Sequence, residues 1–218
     1  MKHTVQERVR LAQIRSGVHS TIGFTKLDLP KLDIFETAVT FPPDCDPLRA
    51  HDELVLVFGQ KAGSGRFLFC ADSSVAGRYW VRSVVPWKTE PAGAISALVP
   101  LRIVTQVAPG LMYHFSLPVC EGNVTVSDGR KHVRPYRSAK EYEAWFQDNG
   151  KEFGIRPMMF SVALNSLRFR HEGVPFRVDY AVLEGAIEVT DTESLMRKLL
   201  RGFGSHRRLG LGMMKLQS

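Results

Sequence analysis

Cysteine is scarce: Cys45, Cys70 and Cys120 are the only three in 218 residues. Their number is odd and no CxxC or CxxH spacing joins them, so neither a disulfide framework nor a zinc site is supported. A reducing, cytoplasmic setting is therefore expected. No uninterrupted apolar run approaches the roughly 18 residues that span a bilayer. The opening stretch, MKHTVQERVRLAQIRSG, is charged and has no apolar core, so neither an export signal nor a membrane anchor is expected. The G-K-[ST] of a nucleotide-binding P-loop is missing. None of the seven histidines stands at metal-ligand spacing from a second His or Cys, so neither a metal nor a cofactor is expected. What is in excess is positive charge: 29 Lys and Arg face 22 Asp and Glu, a formal net charge of +7. A basic balance of this size suits a polyanion, nucleic acid first. Hydrophobic residues at 44% and charged residues at 23% are ordinary for a folded chain, and the length suits one large domain or two of about 100 residues.

Residues 3–15 have the makings of a short helix before GVHSTIGFTKLDLP breaks into loop. IFETAVTF (34–41) reads as a strand. PLRAHDELVLVFG (47–59) reads as a helix with Asp46 as its cap and Pro47 at the favoured first position. GSGRFLFCAD and GRYWVRSVV form two strands around the turn SSVAG. In the second half LMYHFSLPVCEGNVTVS is strand-like, and DGRKHVRPYRS reads as a basic loop. SAKEYEAWFQDNG (138–150) is a helix with Ser138 and Glu141 as a capping box and Gly150 at its end. Its stripe of Tyr142, Trp145 and Phe146 has helical spacing and reads as core. A long hairpin turning at HEGVP, a helix capped by Asp191, and a last strand LGLGMMKL complete the chain. The second half is thus β, α, β, β, α, β, the ferredoxin-like pattern of many RNA-binding domains, and the first half carries β, α, β, β. The expected fold is α+β with two tandem ferredoxin-like (RRM-like) domains, 33–108 and 109–218, after an extension, 1–32. The extension holds Arg8, Arg10, Arg15 and Lys26, which suit an extra RNA or partner contact.

Two basic stretches draw attention. In GFGSHRRLGLG, Gly202, Gly204, Gly210 and Gly212 can free main-chain N–H groups for phosphate oxygens, with Ser205, His206, Arg207 and Arg208 beside them. The alternative is a helix-to-strand turn with solvated arginines. The loop around Arg130, Lys131, Arg134 and Arg137, together with Arg168, Arg170 and Arg177 of the hairpin, can grip an A-form RNA by its phosphates or be merely a solvated charged surface. His51 lies on the first helix, where a surface histidine is unremarkable.

The stretch LEGAIEVTDTESLMRKLLRGFGSHRRLGLGMMKL resembles the C-terminal signature of the CRISPR-associated repeat-processing endoribonucleases of the RAMP superfamily. The likeness is greatest to the CasE-type subunit of the Cascade complex or its type IV counterpart. Leu183-Glu184-Gly185, Asp191, Gly202, Gly204, Arg207, Gly210, Gly212 and Met213 fall in register with the family's strand, helix and glycine loop. DPLRAHDELVLVF is similar to the family's first helix, and His51 occupies the place of its active-site histidine; Leu48 stands where relatives carry a tyrosine.

The resemblance implies a protein that binds the hairpin of a CRISPR repeat and cuts precursor CRISPR RNA without metal, leaving a 2′,3′-cyclic phosphate, inside a larger effector complex. Such a cleavage needs a base for the 2′-hydroxyl, an acid for the leaving oxygen and cations for the pentacoordinate phosphate. His51 is the expected base, with Arg49, Arg168 or Arg170 stabilising charge and the two basic stretches holding RNA. A subunit of the same fold that caps CRISPR RNA without cutting, and an unrelated RNA-binding module, are the alternatives.

Overall fold

The computed structural model describes residues 31–127 and 130–217. The helix expected over 3–15, and with it Arg8, Arg10, Arg15 and Lys26, lies outside the described residues. The first unit runs β1 (Lys31–Thr40), α1 (Pro47–Phe58), β2 (Phe67–Ala71), β3 (Arg78–Ser83), β4 (Ser96–Ala97) and β5 (Leu101–Gln106). Its strands are antiparallel in the order β2-β3-β1, with β4 and β5 both pairing the far side of β1. The second unit runs β6 (Met112–Val119), β7 (Gly122–Ser127), β8 (Arg130–Pro135), α2 (Ala139–Asp148), α3 (Gly150–Phe153), β9 (Ile155–His171), β10 (Val174–Val189), α4 (Thr192–Arg201), a 3-10 turn (Arg207–Leu209) and β11 (Lys215–Gln217). Its sheet has the order β11-β6-β10-β9, the strand order of a ferredoxin-like fold. Two tandem ferredoxin-like units are therefore present, the first without its second helix.

Local chemistry explains the elements that the sequence makes legible. Asp46 accepts from the amides of Leu48 and Arg49 and so starts α1, while Gly59 closes it in the left-handed region. Ser138 and Glu141 form the reciprocal capping box of α2, and Asp191 caps α4 through the Ser194 amide. The stripe of α2 is core as expected, Tyr142 and Phe146 being fully buried.

Other elements differ. Residues 130–135, expected as loop, are strand β8, whose backbone pairs antiparallel with β7, Val133 in register with Val124 and His132 with Thr125. The segment RKHVRP carries no alternation of polar and apolar residues that would announce a strand. Gly150 does not end the helix: Asn149 caps α2, and α3 carries the chain one more turn to Gly154. Strands β4 and β5 follow the irregular segment 84–95, which holds Pro86, Pro91 and Gly93, and carry no strong alternation of their own. Of LGLGMMKL only Lys215 onward is strand; residues 210–214 are buried but irregular.

The units are fused along a buried seam. Leu32 and Ile34 of β1 belong to the core of the second unit, and Met213 packs with Leu68 and Cys70 of β2. At its centre Arg82 bonds Glu36 and donates to the carbonyls of Leu199 (3.3 Å) and Met214 (2.8 Å). Among the described residues no helix is long and apolar enough to cross a membrane.

Candidate active site and nucleic-acid interface

Both units converge on the N-terminal half of α1. The β9–β10 hairpin reaches over it from the second unit, and at the tip His171 Nδ1 lies 3.1 Å from Asp46 Oδ2, the carboxylate that caps α1. From the other side comes the turn that follows α4. Between them is a cleft of about 460 Å³. Leu48 and Ala62 form its floor, Phe169, Phe176 and Val178 one wall, and residues 206–209 the other.

His51 sits behind that floor. It is 1% exposed, tilted between Phe67 and Phe69. Its Nδ1 is 2.8 Å from Asp52 Oδ1, and its Nε2 accepts from the Ala62 amide at 3.3 Å. A ring that accepts at Nε2 and faces a carboxylate at Nδ1 is the neutral tautomer with its proton on Nδ1. Burial holds this imidazole below the ordinary histidine range, and the hydrogen bond to Asp52 pulls the other way. The side chain is thus a neutral base with its basic nitrogen aimed at Ala62, one residue's thickness from the cleft. Asp52 is itself exposed and approaches Arg208 at 3.9 Å.

Arg49 is exposed on α1, and among the described residues no hydrogen bond or ion pair joins it to His51. Arg168 and Arg170 are not brought to the imidazole either. A strand alternates its side chains: Phe169 and His171 face α1, so Arg168 and Arg170 stand on the opposite side, exposed, across from Arg177 and Pro175. The guanidinium that does come close is Arg208. Residues 134–137 lie near the Arg177 side of that hairpin, where Arg134, Arg137 and Arg177 share a second cleft with Asp179; of Arg130 and Lys131 only the backbone is described.

The glycine loop is used differently from the phosphate cradle considered for it. The amide of Gly202 donates to Lys198 O, that of Gly210 to Arg207 O and that of Gly212 to Pro118 O, while the Ser205 amide and hydroxyl both donate to Cys120 O. These groups are taken by the chain's own carbonyls. The glycines are needed for close approach: at φ 63° Gly204 lies so near Val119 and the Cys120 carbonyl that a Cβ would collide with both. This bracing holds the turn that presents His206, Arg207 and Arg208. His206 Nδ1 is 2.9 Å from the Ser205 hydroxyl. The Arg207 stem fills the space left beside Gly63 and Gly202, and its buried Nε has no hydrogen-bond partner. Among the described residues no three His, Cys, Asp or Glu side chains converge as a metal would require.

Sequence reasoning missed Asp52, the Phe169–Phe176 wall and the His171–Asp46 contact. Asp52 adjoins His51 and was legible as a partner; the other two need the hairpin laid over α1, which no local pattern reports.

A family model described as CRISPR associated protein matches residues 41–218. Among curated proteins none matches the chain in sequence. Among solved structures, the CRISPR endoribonuclease Cse3 bound to a 19 nt RNA superposes with a TM-score of 0.70 at 19% identity, covering 85% of this chain and 100% of that one. The CRISPR-associated protein Cas6e of Escherichia coli K-12 gives 0.64 at 16% identity over 84% and 98%. A chain of a CRISPR RNA-guided surveillance complex gives 0.58 at 12% identity over 84% and 98%. At these identities the likeness is one of fold.

Proposed function

Since the chain belongs to the CRISPR-associated protein family, we propose that it is a metal-independent endoribonuclease that binds the repeat hairpin and cuts precursor CRISPR RNA. The observation that carries this reading is a neutral, tautomer-fixed histidine set directly behind the Ala62 floor of a cleft that an exposed arginine and the end of a basic hairpin line. RNA-bound Cse3 and the surveillance complex, with the same fold, support the substrate and membership of an effector complex. Three buried free thiols suit a reducing cytoplasm.

In this reading Asp52 holds the Nδ1 proton and keeps the Nε2 lone pair available. The RNA displaces the Ala62 amide, and Nε2 takes the proton of a 2′-hydroxyl. The freed oxygen attacks the adjacent phosphorus and the P–O5′ bond breaks. A 2′,3′-cyclic phosphate remains upstream, and the 5′-oxygen leaves protonated by the imidazolium or by water. Arg208 neutralises the charge that builds on the phosphoryl oxygens. Arg134, Arg137, Arg168, Arg170 and Arg177, with Arg130 and Lys131, hold the stem through its phosphates. Arg49, exposed on α1, adds to the positive field, and the glycine loop, braced at Gly202, Gly204, Ser205 and Gly210, presents His206, Arg207 and Arg208 to the RNA.

The test is cleavage of labelled repeat RNA in EDTA. The expected result is cutting at one position, lost by about 10²–10⁴-fold in His51→Ala with binding retained, and reduced by about tenfold or more in Asp52→Asn. Cleavage at the wild-type rate by His51→Ala rules out this base. A second reading, a subunit that caps CRISPR RNA without cutting, is favoured by the 1% exposure of His51 and by Leu48 in the tyrosine position; tight binding without any cleavage by the unmodified protein establishes it.

A further inference from the structure

The wall of the cleft carries two phenylalanines that the core does not explain. Phe169 and Phe176 face one another across β9 and β10, their rings 5.3 Å apart and 7° from parallel. Neither belongs to a buried core cluster, and Phe176 is 40% exposed. Their position is fixed, because the hairpin tip is tied to the α1 cap through His171 and Asp46 and the His171 ring abuts Phe176. Across the cleft stand Arg207 and Arg208, the first with a buried Nε lacking a partner and the second 54% exposed. Flat aromatic surface on one side and guanidinium groups on the other are complementary to a base and a phosphate respectively.

We propose that this cleft is a slot for one unpaired nucleotide, its base stacked against the Phe169–Phe176 pair and its phosphate held by Arg207 and Arg208. The inference rests on the RNA-binding function argued above and adds to it the recognition of a single-stranded residue. The volume of about 460 Å³ is room for one nucleotide and far too narrow for a base-paired stem. The stem belongs on the opposite, arginine-bearing side of the same hairpin. Stacking is tolerant of base identity, since every base presents a π face. The slot therefore reads whether a nucleotide is unpaired and ignores which base it carries, and it sets that nucleotide over the Ala62 floor behind which His51 lies.

The probe is fluorescein-labelled r(U)8 and an abasic ribose-phosphate octamer of equal charge, measured by anisotropy at low salt. The unmodified protein is expected to bind r(U)8 about tenfold more tightly than the abasic strand. Phe176→Leu and Phe169→Leu are each expected to remove that preference and leave the affinity for the abasic strand unchanged. Leucine keeps the wall apolar, and the comparison of the two strands on unmodified protein needs no variant to fold. Equal affinity for the two strands overturns the proposal, as does a preference that survives in both variants. Failure of the chain to bind or cut a repeat hairpin, with the r(U)8 preference intact, overturns the function proposed above and leaves the slot standing.

Discussion

The two ferredoxin-like units differ in how they cover their sheets. The second has the four strands β6, β9, β10 and β11, with one bulge between Gly185 and Ile187, and packs α2, α3 and α4 around Tyr142, Phe146, Leu195 and Leu199. The first has only α1, and residues 84–95 cross where a second helix belongs. It completes its burial by borrowing: Leu68 and Cys70 pack against Met213, and Arg82 donates to carbonyls at Leu199 and Met214. Strand alternation puts Phe67, Phe69 and Val81 on the α1 side of the sheet and Leu68, Cys70 and Arg82 on the other, and that second face is buried against the strand end of its neighbour. The borrowing has a functional consequence. It lays the end of α4 and its glycine loop against β2 and α1, and so brings Arg208 to Asp52 and, through it, to His51.

The comparison can be broken hardest at the seam. Arg82→Met leaves Glu36 and two buried carbonyls without their donor; unfolding is expected to cost about 3 kcal/mol less, a fall of roughly 8 °C in Tm. A Tm within a degree or two of the unmodified protein shows that the units stand independently. Next is Gly204→Ala, which forces a Cβ against Val119 and the Cys120 carbonyl at a positive φ. A loss of about 2 kcal/mol is expected by denaturant titration. Cleavage should fall as well, because the turn carrying Arg208 shifts. Gly59→Ala is the contrast within the first unit: φ is again positive at 70°, but a Cβ there meets nothing within 4 Å. Only the left-handed backbone cost of about 1 kcal/mol is expected, with cleavage unchanged.

The smallest effect is that of pH. Burial lowers the pKa of His51 and of His206 below the ordinary 6.5. The unfolded chain therefore takes up protons first as pH falls, so stability present above pH 6.5 is lost progressively between that value and the lowered ones. Thermal scans from pH 7.5 to 5.5 are expected to show a decline of about 2 °C, flattened in His51→Gln. A rising Tm over that range means that His51 is charged in the folded protein. The same shift places the acid limb of cleavage below the ordinary histidine value, since the base must be neutral to accept a proton.

Much of the second unit was legible because its signals are local. Ser138 with Glu141, Asp191 with its following helix, and the Tyr142–Phe146 stripe each act within a turn or two, and the structure has them as the chain implies. β8 escaped notice because RKHVRP is mostly basic and has no alternation, and β4 and β5 because a two-residue and an edge strand carry almost no pattern. The site was legible only in part. His51 is where family resemblance points, and Asp52 adjoins it, yet the Ala62 amide on Nε2 depends on the loop after α1 folding back, and the ring's burial on β2 packing against the helix. The arginines show the limit well. Sequence proximity made Arg49 and the chemistry of the family made Arg168 and Arg170 candidates, but strand alternation turns the latter two away and the seam delivers Arg208 instead.

By itself, then, the run GFGSHRRLGLGMMKL determined that glycines must sit at these positions and that a basic turn would follow α4. What those glycines do was decided by the tertiary structure. The Gly202 and Gly210 amides bond locally, to Lys198 and Arg207, but that of Gly212 reaches Pro118, and the space of the missing side chains is filled by neighbouring residues. The physical reason is range. Backbone conformation at a glycine is a local property that the residue itself permits, whereas the partner of an amide and the neighbour of a guanidinium depend on which distant segment packs there. In this chain those segments are β2, β6 and α1, all far away in sequence.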